Sequence, residues 1–439
     1  MRCKVMILGA SLVCAVAVIA QDKLMELAGT VRDCRDTLEA LPRETPPQER
    51  AKAQHDLANA LQSLALYDTE RHVELLKESV KTFRAALTVY TREAFPQEYA
   101  LVQNDLGDTL KIQMRGVESK EERLEFVNEA IAARRAVLTV YTREASPQEW
   151  AKAQYKLGGA LEVQDNNGEL LGEAVNAYRA ALTVYTPETD PKEWVATQGY
   201  LAQALESQAN CSRNIENMRR LWGEAIVAHR ATLMVYTREA SPEEWASRQY
   251  KLGYMLDNNA RLCWGKETEK GVELREEVIA AYRAALTVYT REKDPRSWVA
   301  TQIGLGGALK HRALIGTGAK AEPQDDAAAA FRARWAKMAE LLGEAAVPFR
   351  AALTVYTLEA DPYMWASAHY DLGDTLRHQA LATLPLSPED KAKRVKLLNE
   401  AVASFENSVK AKTQDIEFYQ EMLDKTREEL AEQLSHLGE

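Results

Sequence analysis

The 439-residue chain is short of the residues that build metal and catalytic centres. Of its five cysteines, Cys3 and Cys14 fall within the first twenty residues. No Cys-x-x-Cys pair, His-Glu-x-x-His run or acidic calcium loop occurs, and the seven histidines are scattered, so no metal or cofactor is expected. Gly316-Thr317-Gly318-Ala319-Lys320 lacks the spacing and flanking strand of a phosphate loop. Aromatics are 7% of the chain, and no basic run interrupts a formal net charge of −10, which removes the electrostatic footprint of nucleic-acid binding. After residue 20 no apolar run approaches the roughly 20 residues of a membrane span. Neither Cys34 nor any serine has the setting of a nucleophile.

The chain starts with a different composition. Arg2 and Lys4 precede an apolar run from Val5 to Ala20, and Val18-Ile19-Ala20 offers a small-residue cleavage site before Gln21. Residues 1–20 are therefore expected to be a secretory signal peptide, with the mature chain secreted or periplasmic and no stable membrane insertion after cleavage. An uncleaved leader that anchors the chain in a membrane is the alternative. Cys34, Cys211 and Cys263 remain beyond the leader. Cys211 and Cys263 stand at nearly equivalent places, about twenty residues after Pro191 and Pro242, so an oxidising compartment allows a disulfide between them. Two free thiols too far apart to bridge are the other reading.

What dominates the rest is repetition. Tyr-Thr-Arg-Glu-Ala-Ser-Pro-Gln-Glu-Trp at 141–150 returns in altered copies from Tyr90, Tyr185, Tyr236, Tyr289 and Tyr356, with a worn copy near Leu41. The prolines of the copies are Pro47, Pro96, Pro147, Pro191, Pro242, Pro295 and Pro362, spaced 44–53 residues apart with a last step of 67. Such a period marks stacked supersecondary units, each burying its apolar face against its neighbours.

Each unit reads as two helices. Helix A starts at the proline, which suits the first helical position, with Ser146, Asp190, Ser241, Asp294 or Asp361 before it as the expected cap. Trp150, Gln154, Leu157 and Leu161 then recur on one helical face. Helix B carries Ala174, Tyr178, Ala181, Leu182 and Tyr185 as its stripe. Residues 22–41 align as a worn helix B with Cys34 in place of Tyr178, another worn helix B spans about 388–412, and residues 414–439 read as a capping helix after an array over 21–413.

Leu157-Gly158 with Leu161, followed by Ala174, Tyr178 and Ala181, resembles the tetratricopeptide repeat. The resemblance covers about seven repeats. It implies an all-α, right-handed solenoid of antiparallel helix pairs that serves as a protein-interaction module. Two features depart from the family: the unit exceeds the usual ~34 residues, and Gln154 stands where a large aromatic is expected. The family's concave groove is lined by helix A residues two before and two after the Leu-Gly leucine. Carried onto this chain, those places hold His55, Asn59, Asn104, Asp108, Tyr155, Gln203, Tyr250, Tyr254, Tyr370 and Asp374. The Lys/Asn/Arg clamp that some members use for a carboxylate does not appear at those positions.

Copies within one chain also permit an internal comparison. Positions that stay constant serve the stacking that all copies share, and positions that vary are free to read a partner. Three polar columns are nearly constant: Gln54 to Gln302 on helix A, Arg35 to Arg350 on helix B, and Glu78 to Glu400 six residues before each arginine. The glutamines are expected to bond a tyrosine hydroxyl or a helix B group. The Arg and Glu columns cannot pair on one helix at that spacing, so they are expected to pair between repeats. A carboxylate repeated seven times does not supply the one special environment of a general acid. The function expected is a non-catalytic scaffold that binds a protein or peptide partner in the groove. A self-assembling structural protein and a carbohydrate-active enzyme on a helical superhelix are the alternatives.

Overall fold

The computed structural model describes residues 2–164, 169–262, 269–315 and 327–435. The chain divides into two compact units, Met1–Cys211 and Ser212–Glu439. Among the described residues of the first unit the helices are α1 (Arg2–Ala40), α2 (Pro47–Ala65), α3 (His72–Ala86), α4 (Pro96–Gln113), α5 (Lys120–Leu138), α6 (Pro147–Gln164), α7 (Glu169–Ala181) and α8 (Pro191–Cys211). Those of the second unit are α9 (Ile215–Thr232), α10 (Pro242–Arg261), α11 (Glu269–Leu286), α12 (Pro295–Ile315), α13 (Ala327–Ala352), α14 (Pro362–Ala382), α15 (Pro388–Lys410) and α16 (Ile416–Ser435). Within each unit every helix packs on the next in sequence, as antiparallel pairs. The fold of the described residues is all-α, a succession of antiparallel helix pairs. The A helices are α2, α4, α6, α8, α10, α12 and α14.

Each A helix begins at its proline, where the missing N–H falls among donors that lack an intrahelical partner in any case. The caps differ from expectation. Asp294 Oδ1 accepts from Ser297 N at 3.0 Å and Asp361 Oδ1 from Met364 N at 3.0 Å, but the Ser241 side chain makes no cap bond. The threonine after each repeat tyrosine fixes the turn. Thr91, Thr142, Thr237 and Thr357 each accept from the backbone N–H three residues on, at 3.2 Å. Their carbonyls also accept from Phe95, Ser146, Ser241 and Asp361 N. The turn and the cap serve different N–H groups and coexist where an aspartate precedes the proline, as at Thr357 and Asp361.

α1 runs unbroken from Arg2 to Ala40, through the expected cleavage point after Ala20. The side chains of the first twenty residues, on which the export reading rests, lie outside the described residues. The later part of α1 behaves as a worn helix B: Leu27, Val31, Cys34 and Leu38 pack against Leu57, Leu61 and Leu76. Burial pushes the Cys34 thiol pKa up. Cys211 is exposed, while Cys263 lies outside the described residues, as do residues 316–320. α15 ends as Lys412 takes φ 51°, the left-handed conformation that glycine usually supplies at a helix C-terminus.

Candidate functional site

The constant columns form the frame. Arg35 of α1 bonds Glu78 of α3 at 2.7 Å, Arg84 of α3 bonds Glu129 of α5 at 2.7 Å, and Arg135 of α5 bonds Glu173 of α7 at 2.8 Å. In the second unit Arg230 pairs with Glu277, Arg283 with Glu344 at 3.9 Å, and Arg350 with Glu400 at 2.7 Å. Within each unit a glutamate of one helix B thus meets an arginine of the helix B before it. These pairs are exposed, so each contributes little stability, about 0–1 kcal/mol, and their effect is to hold register.

In α6, α10, α12 and α14 the glycine after the helix A leucine meets the main ring of helix B. A Cβ built on Gly158 would sit 2.7 Å from the ring of Tyr178, and one on Gly306 would sit 2.8 Å from Phe349. Tyr178, Phe83, Phe349 and Phe405 are fully buried. The glutamine column departs from expectation. All six glutamines are half-buried, and no side-chain hydrogen bond joins them to protein among the described residues. Their amides stay within reach of solvent, where a protein partner gains little.

α5 breaks the ring column with a charge. In the third B helix, α5, the residue over the glycine is Arg134, not an aromatic, and its guanidinium lies against Gly107. Arg134 is 2% exposed. It donates to Asn104 O at 2.6 Å, to Asn104 Oδ1 at 2.7 Å and to Asp108 Oδ1 at 2.5 Å. Lys156 of α6 reaches back to the same groups, donating to Asp108 Oδ2 at 2.7 Å and Asn104 Oδ1 at 3.0 Å. On the other side, His55 and Asn59 of α2 donate to Asp105 Oδ2 at 2.8 and 3.4 Å, and Asn104 donates to Asp105 Oδ1 at 3.1 Å. One polar chain therefore links three successive A helices through a buried arginine.

Tyrosines adjoin this chain. Tyr155, Tyr178 and Tyr200 form a triangle with ring centroids 5.5–6.1 Å apart. Tyr178 donates to Glu162 Oε2 at 2.7 Å. Burial pushes the Tyr155 and Tyr178 hydroxyl pKa values up, and it also raises the Glu162 pKa against the pull of the Tyr178 hydrogen bond. Burial pulls the Lys156 and Arg134 pKa values down, while Asp108 works the other way on both. For Asp105 burial is again the largest influence and raises its pKa, but the bonds from His55 and Asn104 outweigh it and leave the carboxyl below its usual range.

A cleft of about 60 Å³ opens among Asp108, Lys111, Arg134, Tyr155, Lys156 and Tyr200, over an apolar floor of Met114, Val127 and Ala130. A wider cleft of about 590 Å³ shares Tyr155 and Lys156 and continues to Lys152, Tyr185, Lys192 and Glu193. Burial pushes the Tyr185 pKa up to about 12.

The expected groove residues divide accordingly. His55, Asn59, Asn104, Asp108 and Tyr155 come together in this network, and Gln203 is exposed on α8. In the second unit Tyr250 packs on Tyr282 at 5.9 Å, and Tyr254, 45% exposed, stands edge-on to Trp222 at 6.5 Å. Tyr370 is covered rather than open, with Phe418 and Tyr419 of α16 at 5.1 and 5.5 Å. Asp374 is likewise buried, at 8% exposure, against the expectation of a groove position. Lys310 and His378 each lie 3.2 Å from it. Burial, the largest influence, would raise the Asp374 pKa, but these partners outweigh it and hold the carboxyl down at about 2. Arg377 of α14 adds bonds to Glu429 of α16.

Sequence reasoning missed Arg134, Asp105, Lys156 and Lys310. For Arg134 the signal existed: Arg134-Arg135 stands where other copies read Phe83-Arg84, Tyr178-Arg179, Tyr282-Arg283 and Phe349-Arg350. Among the described residues no group of three or more His, Cys, Asp or Glu side chains has the arrangement to hold a metal ion, and no helix is long and apolar enough to cross a membrane.

No protein-family profile and no curated protein matches the chain. Solved structures similar to it include a circular tandem repeat protein with a novel repeat topology, 19% identical over 95% of this chain and 92% of that one, with a TM-score of 0.34. The S. pombe nuclear import adaptor Nro1 is 13% identical over 92% and 99%, with a TM-score of 0.31. A Rap protein complexed with competence and sporulation factor is 14% identical over 93% and 99%, with a TM-score of 0.28.

Proposed function

We propose that the chain is a non-catalytic, exported scaffold that binds an extended peptide segment of a partner protein on the helix A face of its first unit. One observation carries the reading. The helix B side repeats one salt bridge from copy to copy, whereas the helix A side gathers its non-repeating residues around two adjoining clefts. Residues that serve only stacking have no reason to differ between copies. Tyr155 and Tyr200 supply the rigid, amphipathic area that interfaces favour, and a framed face reduces the ordering cost of binding.

Self-assembly is less well supported. At α15 the ladder position holds Glu406, and its partner is Arg427 of α16 at 2.9 Å, not the glutamate of a further helix B. That arrangement suits a helix that closes the second unit's stack. Selection of the full chain against displayed random peptides tests the binding reading. Enriched peptides are expected to lose about tenfold or more in affinity on Tyr200→Ala, and to be held normally by Arg84→Ala on the opposite side. No enrichment, or equal retention by Tyr200→Ala, rejects it.

A further inference from the structure

We propose that the smaller cleft of the first unit receives an acidic side chain of the bound peptide, beside an apolar one seated on its floor. This rests on the peptide-binding reading above and names the chemistry of the partner. The floor of Met114, Val127 and Ala130 is apolar and mostly buried, and the space of about 60 Å³ suits one aliphatic side chain, not a whole segment. The rim is unequal in charge. Lys111, Arg134 and Lys156 line it against Asp108 alone.

The acids in and around the cleft are engaged, save Glu162 Oε1, which is buried without a hydrogen-bond partner. Both oxygens of Asp108 accept, from Arg134 and from Lys156. Asp105 faces His55, Asn59 and Asn104, and Glu162 Oε2 accepts from Tyr178. An ammonium group has three donors, and Lys156 directs two bonds to Asn104 and Asp108. The donor capacity left over is therefore cationic. A basic ligand would meet three cations. Nor is there an open aromatic cage for it, because Tyr155, Tyr178 and Tyr200 fill one another's faces at 5.5–6.1 Å. The chain's overall charge of −10 opposes an acidic partner only at long range. With a Debye length of about 8 Å at physiological salt, the nearby rim decides.

The test uses the full chain and fluorescently labelled, C-terminally amidated Gly/Ser peptides with a central Leu-Glu-Glu, Leu-Gln-Gln or Leu-Lys-Lys, read by anisotropy at low and high salt. Leu-Glu-Glu is expected to bind about tenfold or more tighter than Leu-Gln-Gln, to weaken as salt rises, and to exceed Leu-Lys-Lys further. Lys111 is exposed, so Lys111→Gln is expected to keep the unfolding midpoint while it reduces the preference for Leu-Glu-Glu. Lys111→Glu should shift the preference toward Leu-Lys-Lys. Equal binding of the acidic and neutral peptides overturns the charge assignment and leaves peptide binding standing. Stronger binding of an unamidated peptide ending in Leu assigns the cations to a chain terminus and overturns the side-chain assignment. Failure of all three peptides overturns this inference, while the displayed library separately decides the broader reading.

Discussion

His229 occupies the ring column of α9 and is 1% exposed, with its Nε2–H donating to Arg248 O at 3.0 Å. Burial pulls its pKa down to about 4, with the nearby Arg248 and Lys251 charges acting in the same direction and the carbonyl bond opposing them. A depressed folded-state pKa means that the unfolded chain binds the proton more tightly. The stabilisation is complete above the unfolded value of about 6.5 and is lost as pH falls through about 4. Linkage between those two values gives a loss of roughly 2 kcal/mol at pH 5 and a limit of about 3 kcal/mol in stronger acid. Against a typical domain stability of about 5–15 kcal/mol that is a large fraction. The assay is urea unfolding at pH 8, 6.5 and 5 for the wild type and His229→Gln, whose amide can still donate to the Arg248 carbonyl. The variant is expected to be weaker at pH 8 by about 1–2 kcal/mol through lost packing, and to change less with pH. The gap between the two proteins should therefore narrow or reverse by pH 5. Parallel pH profiles would refute the reasoning, because they would place the acid sensitivity elsewhere.

Other outcomes follow from the same geometry. Gly158→Ala drives a Cβ to 2.7 Å from the Tyr178 ring and is expected to destabilise by about 1–3 kcal/mol in urea unfolding, whereas Gly307→Ala, with nothing within 4 Å, should stabilise by up to about 1 kcal/mol. A double-mutant cycle on Arg84 and Glu129 should give a coupling below about 1 kcal/mol that shrinks as salt is added, the pair being exposed. Arg134→Ala opens a hole beneath Gly107 while Lys156 still holds Asp108, so it should lower stability by about 2–5 kcal/mol. Arg134→Phe restores the ring of the other copies and should leave stability equal or raise it by about 1–4 kcal/mol.

Much of the frame could be read from the copies alone. Proline spacing located every helix A start, because a residue without an N–H is well suited to the first turn. The Arg and Glu columns announced pairing between repeats, since six residues on one helix separates faces and only a neighbour can close the gap. The glutamine column shows the limit of this method. Periodicity reports which face a residue occupies, not what it meets, and a half-buried amide needs no protein partner. The serine before Pro242 likewise marks a candidate cap and not a bond that forms. Tyr370 was misplaced because α16, a helix outside the repeat pattern, covers it, and Asp374 because Lys310 of α12 and His378 of its own helix close over it. Most of the polar network was hidden as well, since Lys156 on α6 meets Asp108 on α4 across 48 residues of sequence.

Arg134 deserves a different explanation from the columns around it. Phe83 fills this position in the copy before without any polar group to satisfy, and Tyr178 in the copy after has a single hydroxyl, bonded to Glu162. The arginine instead needs Asn104, Asp108 and Lys156 arranged around it to offset its desolvation, and such clusters seldom stabilise a fold beyond what a packed ring supplies. Stacking therefore gives no reason for the arginine. What the ring could not do is hold Asp108 and Lys156 in fixed positions at the mouth of a cleft while adding positive charge beneath it. If that is its use, Arg134→Phe must separate two quantities that ordinary core substitutions move together: the protein should unfold no more easily, yet lose its preference for the acidic peptide. A variant that keeps both stability and preference would reduce Arg134 to an accident of packing.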